Sequence, residues 1–210
     1  MKKIKLNKLI LAIVGIILVG TGVAFNAAAA LGNDPIGIVY DGIRNMAHLS
    51  GEQLGMASNL VNIVLVLIVF LLDSHYVNVG TWIYIIPYGT VVAFGGKLYH
   101  MIFATQNLWN QMIGAFCGCM LLYTGVAMYI AADVGLDPFT GLVMVLRDKV
   151  DREYKTVKIC FDILCILLGV VLGGKLGVIT IITALTAGPV IQFLSNKIAG
   201  WVNHKEVTTD

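Results

Sequence analysis

The chain repeats one stretch of its own sequence, and the second copy begins 103 residues after the first. Residues 21–44 read TGVAFNAAAALGNDPIGIVYDGIR, and residues 124–147 read TGVAMYIAADVGLDPFTGLVMVLR. Ten of these 24 positions are identical without a gap, which indicates an internal duplication. Each copy leads from an apolar segment through a Gly-x-Asp-Pro turn and then into two further apolar segments. An odd number of spans per copy predicts inverted repeats, which recur in membrane transporters.

The composition favours a membrane protein. Hydrophobic residues make up 58% of the chain and charged residues 12%, whereas about 25% of residues are charged in a typical soluble domain. The formal net charge of +2 is too small to indicate a nucleic-acid partner. The lipid bilayer is therefore the expected partner, and a small-molecule substrate and a homodimer are further expectations.

Six apolar segments are near the length of about 20 residues that a helix needs to cross a bilayer. We expect an all-α membrane protein with three spans in residues 1–105 and three inverted spans in residues 106–210, forming one membrane domain. Small residues such as Gly22 and Gly125 predict that the first and fourth spans pack together at the centre. The predicted spans are residues 8–30, 54–72, 77–96, 108–132, 157–172 and 176–198.

The basic residues predict the orientation. If the N-terminus is inside, only Arg44, Lys97 and Lys175 lie outside. The other eleven lie inside, and they are Lys2, Lys3, Lys5, Lys8, Arg147, Lys149, Arg152, Lys155, Lys158, Lys197 and Lys205. This excess predicts cytoplasmic termini in the cell membrane.

The N-terminal segment also resembles a secretory signal peptide, because basic residues precede an apolar run that ends in small residues. Its internal counterpart ends at Ala132, where no signal peptide could lie. We therefore interpret the first segment as a retained helix.

Each Gly-x-Asp-Pro turn predicts the end of one helix and the start of the next. The glycine suits the left-handed conformation that closes a helix, the aspartate suits the N-cap, and the proline suits the first helical position. A short helix should follow, lying in the membrane interface or dipping into the bundle. The aspartates either serve as caps alone or mark helix starts that attract an anionic group. The turn residues are Gly32, Asp34 and Pro35, with Gly135, Asp137 and Pro138.

A second set of polar residues lies within the apolar runs. Asp162 follows Lys158 by four residues, so both lie on one helix face, and Asn62 is the approximate counterpart of Asp162 in the second span. Ionisable groups inside a membrane are hypotheses of function by default. The alternative is an ion pair near the cytoplasmic interface, where both groups reach water.

Prolines and glycines lie at similar depths in the third and sixth spans. Because proline removes a helical hydrogen bond, these spans are either broken near mid-membrane, as in many transporter sites, or simply kinked by packing. The candidate residues for substrate binding or coupling are therefore Asp34, Asp137, Asp162, Asn62, Pro87, Gly89, Gly188 and Pro189.

The sequence lacks the phosphate-loop, nucleophile-elbow and zinc-protease motifs. We therefore expect no enzyme activity, no cofactor and no metal site. A small-molecule transporter, exporter or channel is the favoured function. A non-transporting accessory or scaffold protein is the alternative, and an absence of polar clusters deep in the bundle favours it.

The first turn, Leu31-Gly32-Asn33-Asp34-Pro35, resembles that of the YitT/YczE-type family of bacterial integral membrane proteins, whose members carry a Leu-Gly-x-x-Pro-like turn after the first span. The resemblance covers nearly the whole chain. It implies a multi-pass protein of the bacterial cytoplasmic membrane. It does not indicate a substrate.

Overall fold

The computed structural model describes residues 6–207, and this part of the chain is built from helices. The order of a long helix, a short helix and two long helices occurs twice, so the duplication in the sequence is repeated in the order of the elements. Short 3-10 turns, Gly51–Gln53 and Ser74–Tyr76, precede the third and fourth helices. The α-helices are α1 (Leu6–Ala29), α2 (Pro35–Met46), α3 (Leu54–Leu72), α4 (Val79–Ile102), α5 (Leu108–Ala132), α6 (Pro138–Val150), α7 (Tyr154–Val171) and α8 (Val178–Val207).

Each of the six apolar segments of the sequence falls on one of the long helices, and the predicted all-α fold class is confirmed. Among residues 6–207, four helical stretches are long and apolar enough to cross a membrane: α1, residues 51–72, α5 and residues 178–202 of α8. The other two long helices, α4 and α7, do not combine the length and the apolar composition that this requires.

The helices α1 and α5 form the central pair of the bundle, as the small residues predict. A Cβ atom added to Gly22 of α1 would lie 2.6 Å from the Leu122 nitrogen and 2.7 Å from the Gly118 oxygen of α5. An added Cβ at Gly15 would lie 2.9 Å from the Gly125 oxygen. Glycine is required at these positions because the backbones of the two helices are in contact. On either side of the pair, α1 also packs against α4, and α5 packs against α8.

The two short helices join the halves of the chain. Both α2 and α6 pack against α3 and α7, so each contacts a long helix of the other half. The turns before them make reciprocal contacts as well. The Ile179 N–H at the start of α8 donates to the Leu31 oxygen at 3.1 Å, and the Thr81 hydroxyl at the start of α4 donates to the Leu136 oxygen at 2.9 Å. Each turn therefore rests on the first turn of the last helix in the other half.

The conformation of the turns corrects one prediction. Gly32 and Gly135 have positive φ angles of +105° and +143°, but neither residue closes a helix. The left-handed residue at the C-terminal cap of α5 is Asp133, an aspartate that tolerates this conformation. Each glycine lies two residues after a left-handed residue, at the point where the turn passes close to the backbone of a neighbouring segment. An added Cβ at Gly32 would lie 2.7 Å from the Gly177 Cα atom.

Of the two alternatives for the third and sixth spans, a break at the proline or a kink from packing, the break is wrong. Pro87 lies within the continuous helix α4, and Pro189 lies within the continuous helix α8. Next to Pro87, the Gly89 N–H donates to the Asn59 side-chain oxygen of α3 at 3.1 Å. A neighbouring helix therefore supplies an acceptor where a proline weakens the hydrogen-bonding pattern, and the helix continues through the proline.

Candidate functional site

A cluster of charged side chains lies buried at the centre of the bundle, where α2 and α6 begin. Asp34 and Asp137 are 6% and 5% exposed, Lys158 of α7 is 6% exposed, and Asp162 of α7 is fully buried. Three carboxylates and one ammonium group are thus removed from the surface. Burying charges in this way is expensive unless they are paired or serve a function. The sequence indicated each residue separately but not their convergence.

A small cavity of about 40 Å³ lies between the two halves, against this cluster. A water molecule needs roughly 10–15 Å³ of such volume, whereas pockets for drug-sized ligands are about 300 Å³ or larger. The cavity therefore has room for a few water molecules or a small ion. Its polar lining residues are Asp34, Asp137, Lys158, Thr140 and three tyrosines, Tyr40, Tyr84 and Tyr88.

Lys158 and Asp162 form a close ion pair one helical turn apart on α7. The Lys158 ammonium donates to both carboxylate oxygens of Asp162 at 2.6 Å. It also lies 4.7 Å from the centre of the Phe139 ring, which adds a cation–π contact. The ion pair that the sequence offered as one alternative is therefore present, but the expectation that both groups reach water is wrong, because this face of α7 packs inside the bundle. The ion pair compensates the charge of Asp162 within the protein.

Asp137 caps α6 as the sequence predicts. Its carboxylate accepts a hydrogen bond from the Thr140 N–H at 2.9 Å, and Pro138 takes the first helical position. This bond satisfies one of the free N–H groups at the helix start, and the negative charge lies at the positive end of the helix dipole. Asp137 therefore has a structural role in addition to its place on the cavity.

Asp34 takes the same backbone position in the first turn but does not cap α2 through its side chain. Its φ and ψ angles are −62° and 161°, close to the −63° and 154° of Asp137. The Gly37 N–H in the first turn of α2 attracts the carboxylate without forming a well-aligned capping hydrogen bond, and the Oδ1 atom is buried without a partner. The Asp34 N–H donates instead to the Asn33 side-chain oxygen at 2.9 Å. The predicted cap position is therefore right, and the capping interaction is weaker than that of Asp137.

The amide of Asn62 on α3 lies behind the cavity. Its side-chain oxygen accepts a hydrogen bond from the Tyr40 hydroxyl at 3.0 Å, and the Tyr40 side chain itself lines the cavity. Asn62 therefore positions a lining residue and is not a lining residue itself.

The candidate residues near the two prolines do not line the cavity. Gly89 marks the crossing of α3 and α4, since an added Cβ would lie 2.7 Å from the Gly55 oxygen. Gly188 faces the first turn of α7, and an added Cβ would lie 3.6 Å from the Lys155 Cα atom. Pro87 and Pro189 are likewise absent from the lining.

The three tyrosines of the lining were missed by the sequence reasoning. Tyr84 and Tyr88 are four residues apart on one face of α4, and their rings stack with centroids 4.9 Å apart. The Tyr40 ring of α2 meets Tyr88 edge to face, with centroids 6.3 Å apart. The spacing of Tyr84 and Tyr88 on either side of Pro87 is the signal that could have indicated them.

A family model described as "Family of unknown function (DUF6198)" matches residues 6–196. The chain belongs to this family. An uncharacterized protein of Haemophilus influenzae is 27% identical over 182 residues, which cover 87% of this chain and 80% of the relative. The uncharacterized membrane protein YczE of Bacillus subtilis is 22% identical over 144 residues, covering 68% of this chain and 65% of YczE. No solved structure matches this chain.

The similarity to YczE confirms the resemblance to the YitT/YczE-type family. The apolar helices and this membrane relative together identify the chain as a multi-pass membrane protein.

Proposed function

We propose that this protein transports a small solute across the bacterial cell membrane and that Asp34 binds the proton that is coupled to transport. The observation that carries the proposal is that Asp34 lines the cavity between the two halves and has a buried carboxylate oxygen without a partner. The Asp162 charge is compensated by Lys158, and Asp137 accepts the capping bond from Thr140. Asp34 has neither a close ion pair nor a well-formed capping bond, and its carboxylate is attracted only by the more distant Lys158 charge and by the Gly37 N–H.

The energetics support a functional role for this carboxyl group. A buried carboxylate without a close ion pair costs free energy that an apolar residue of similar size would not cost, and the more distant Lys158 charge compensates only part of it. Binding of a proton makes the carboxyl group neutral and removes that cost. The cavity beside it has room for a proton carried on water or for a small ion, so this cavity is a site of coupling and is too small for a large substrate.

The architecture we propose has six membrane spans, contributed by α1, α3, α4, α5, α7 and α8, with cytoplasmic termini. Residues 1–105 and 106–210 form two inverted three-span units, and α2 and α6 enter the bundle from opposite sides. The repeated helix order and the reciprocal packing of the two turns support this arrangement. Movement of one unit against the other would expose the central cluster alternately to the two sides.

The alternative is a non-transporting accessory or scaffold protein. The argument for this alternative is that the sequence shows no polar cluster deep in the bundle. The buried cluster of three carboxylates and one lysine removes that argument.

The test uses full-length protein in proteoliposomes, with currents recorded on a solid-supported membrane for a panel of small anionic, cationic and neutral solutes at several pH values. We expect one solute class to give pH-dependent currents. Asp34→Asn should remove the pH dependence and reduce the flux at least tenfold, because the amide cannot carry the proton.

Asp137→Asn is the matched control, because its amide oxygen can still accept the hydrogen bond from Thr140. This variant should keep pH-dependent flux, and size-exclusion profiles and melting temperatures would show that both variants are folded. An unchanged pH dependence in Asp34→Asn would overturn the assignment of Asp34. The lack of a current with every solute in the parent protein would overturn transport itself.

A further inference from the structure

A larger cavity of about 490 Å³ opens at one end of the molecule, beside the C-terminal part of α2. A smaller pocket of about 90 Å³ adjoins it and shares Asp41, Arg44 and Lys175 with it. We call the two together the vestibule. Its basic residues are Arg44, Lys97 and Lys175, which are all the basic residues that the sequence places on the outer side, and His100 lies beside them. The three basic residues come from α2, α4 and the α7–α8 loop, and all of them line this one opening.

The charges of the vestibule do not cancel. Arg44 donates to one carboxylate oxygen of Asp41 at 2.6 Å, and the Lys175 backbone N–H donates to the other at 3.1 Å. Both oxygens of Asp41 are therefore occupied. Among the side chains that the structure describes, no carboxylate pairs with the ammonium groups of Lys97 and Lys175. Glu52 is the remaining acid of the lining, and it is exposed. Positive charge is left in excess.

A residue that lines the smaller pocket has a buried hydrogen-bond donor without a partner. Asn33 is 4% exposed and lines this pocket. Its oxygen accepts from the Asp34 N–H, but its Nδ2 atom is buried without a partner. An amide nitrogen can only donate, and guanidinium and ammonium groups can only donate. The next residue, Asp34, lines the central cavity, so the vestibule ends one residue away from the proposed coupling site.

We propose that the vestibule binds an oxyanion group, a carboxylate or a phosphate, and that this group belongs to the solute that the protein transports, an assignment that rests on the proposed function. Arginine and lysine donate strong charge-assisted hydrogen bonds to oxyanions, and the Asn33 amide supplies a neutral donor at the inner end. The volume of the vestibule falls within the range of about 300–1,000 Å³ that is typical of small-molecule sites. The protein therefore carries small organic anions.

The test measures binding without transport. Full-length protein in nanodiscs of phosphatidylcholine is melted in increasing inorganic phosphate, with succinate as a second probe and choline chloride at equal ionic strength as the comparison. Phosphate or succinate should raise the melting temperature saturably, as a ligand of the folded state does. Choline chloride should not.

Two variants probe the site. Lys97→Gln combined with Lys175→Gln removes two exposed charges and should weaken the apparent affinity about tenfold or more. Asn33→Asp keeps the acceptor for the Asp34 N–H but replaces the donor with a carboxylate oxygen, and it should abolish binding. Lys149→Gln, an exposed lysine of α6 at the opposite end, is the matched control and should bind like the parent. An absence of saturation with both probes, or equal affinity in the double variant and the parent, would overturn the proposal.

A further arm distinguishes a free solute from a lipid headgroup. The measurement is repeated in nanodiscs that also contain phosphatidylglycerol. Unchanged phosphate affinity supports a soluble anion as the occupant, whereas loss of phosphate binding assigns the site to a lipid headgroup and overturns the assignment to the transported solute. The anion site is tested by binding without flux and the coupling proposal by the pH dependence of the currents, so a failure of the coupling proposal and a failure of the anion site give different results.

Discussion

The two Gly-x-Asp-Pro turns have nearly the same backbone but use their aspartates differently. In the second turn, Asp137 caps α6 through the Thr140 N–H. In the first turn, Asp34 leaves its carboxylate uncapped, and Asn33 bonds the Asp34 N–H in a tight local contact. The duplicated motif thus specifies the path of the chain, and the residues around it decide whether the carboxylate serves the helix or the cavity.

The helices that follow α2 and α6 also differ, in the charge that they bring to the bundle centre. In the first half, α3 presents a neutral amide, Asn62, which accepts from the Tyr40 hydroxyl. In the second half, α7 presents the charged pair of Lys158 and Asp162. The two copies therefore differ in charge at the bundle centre, while they keep the same order of helices.

The largest expected effect distinguishes the two turns by side of the membrane. In a background without the four natural cysteines, single cysteines replace the exposed residues Ser50, after α2, and Arg152, after α6. We expect a membrane-impermeant maleimide to label Ser50→Cys from the outside of intact cells and Arg152→Cys only after permeabilisation. Labelling of both from the same side would end the inverted-repeat proposal.

The second-largest expected effect compares the Lys158–Asp162 ion pair of α7 with the neutral hydrogen bond between Tyr40 and Asn62. Lys158→Met leaves the buried Asp162 carboxylate unpaired and should lower the free energy of unfolding by about 3–5 kcal/mol. Tyr40→Phe removes one neutral hydrogen bond to Asn62 and should cost about 1 kcal/mol. Reversible unfolding in mixed micelles would measure both values.

A double variant tests the reason for this difference. Lys158→Met with Asp162→Leu removes both charges and should recover most of the stability, because no unpaired charge remains. If the double variant is as unstable as Lys158→Met alone, the loss comes from packing around Lys158 and not from the uncompensated carboxylate.

The sequence predicted the helices better than the site, for a physical reason. Apolar length, Asp-Pro starts and small residues are local signals, and they correctly indicated the long helices, the starts of α2 and α6, and the contact of α1 with α5. The convergence of Asp34, Asp137 and Lys158 depends on how the short helices pack between halves that are far apart in sequence. Periodicity within one helix carries no information about that packing.

A smaller effect tests the backbone that the two turns share. Gly32→Ala and Gly135→Ala each place a side chain at a positive φ, and in Gly32→Ala the added Cβ would contact the Gly177 backbone. Each change should cost at least about 1–2 kcal/mol of unfolding free energy. Gly96→Ala is the control, because an added Cβ there meets nothing within 4 Å. Equal stability of all three variants would show that the turns relax to accept a side chain.

The smallest effect bears most directly on the different use of the two aspartates. Asp137→Ala removes the capping bond from Thr140 and should lower the free energy of unfolding by about 1 kcal/mol. Asp34→Ala removes a carboxylate that lacks a well-formed capping bond and is only partly compensated, so it should lower stability less than Asp137→Ala does, or increase it. Matched unfolding curves of the two variants and the parent would measure the difference. A loss in Asp34→Ala as large as that in Asp137→Ala would show that both carboxylates are structural caps, and the case for Asp34 as the coupling group would then lose its physical basis.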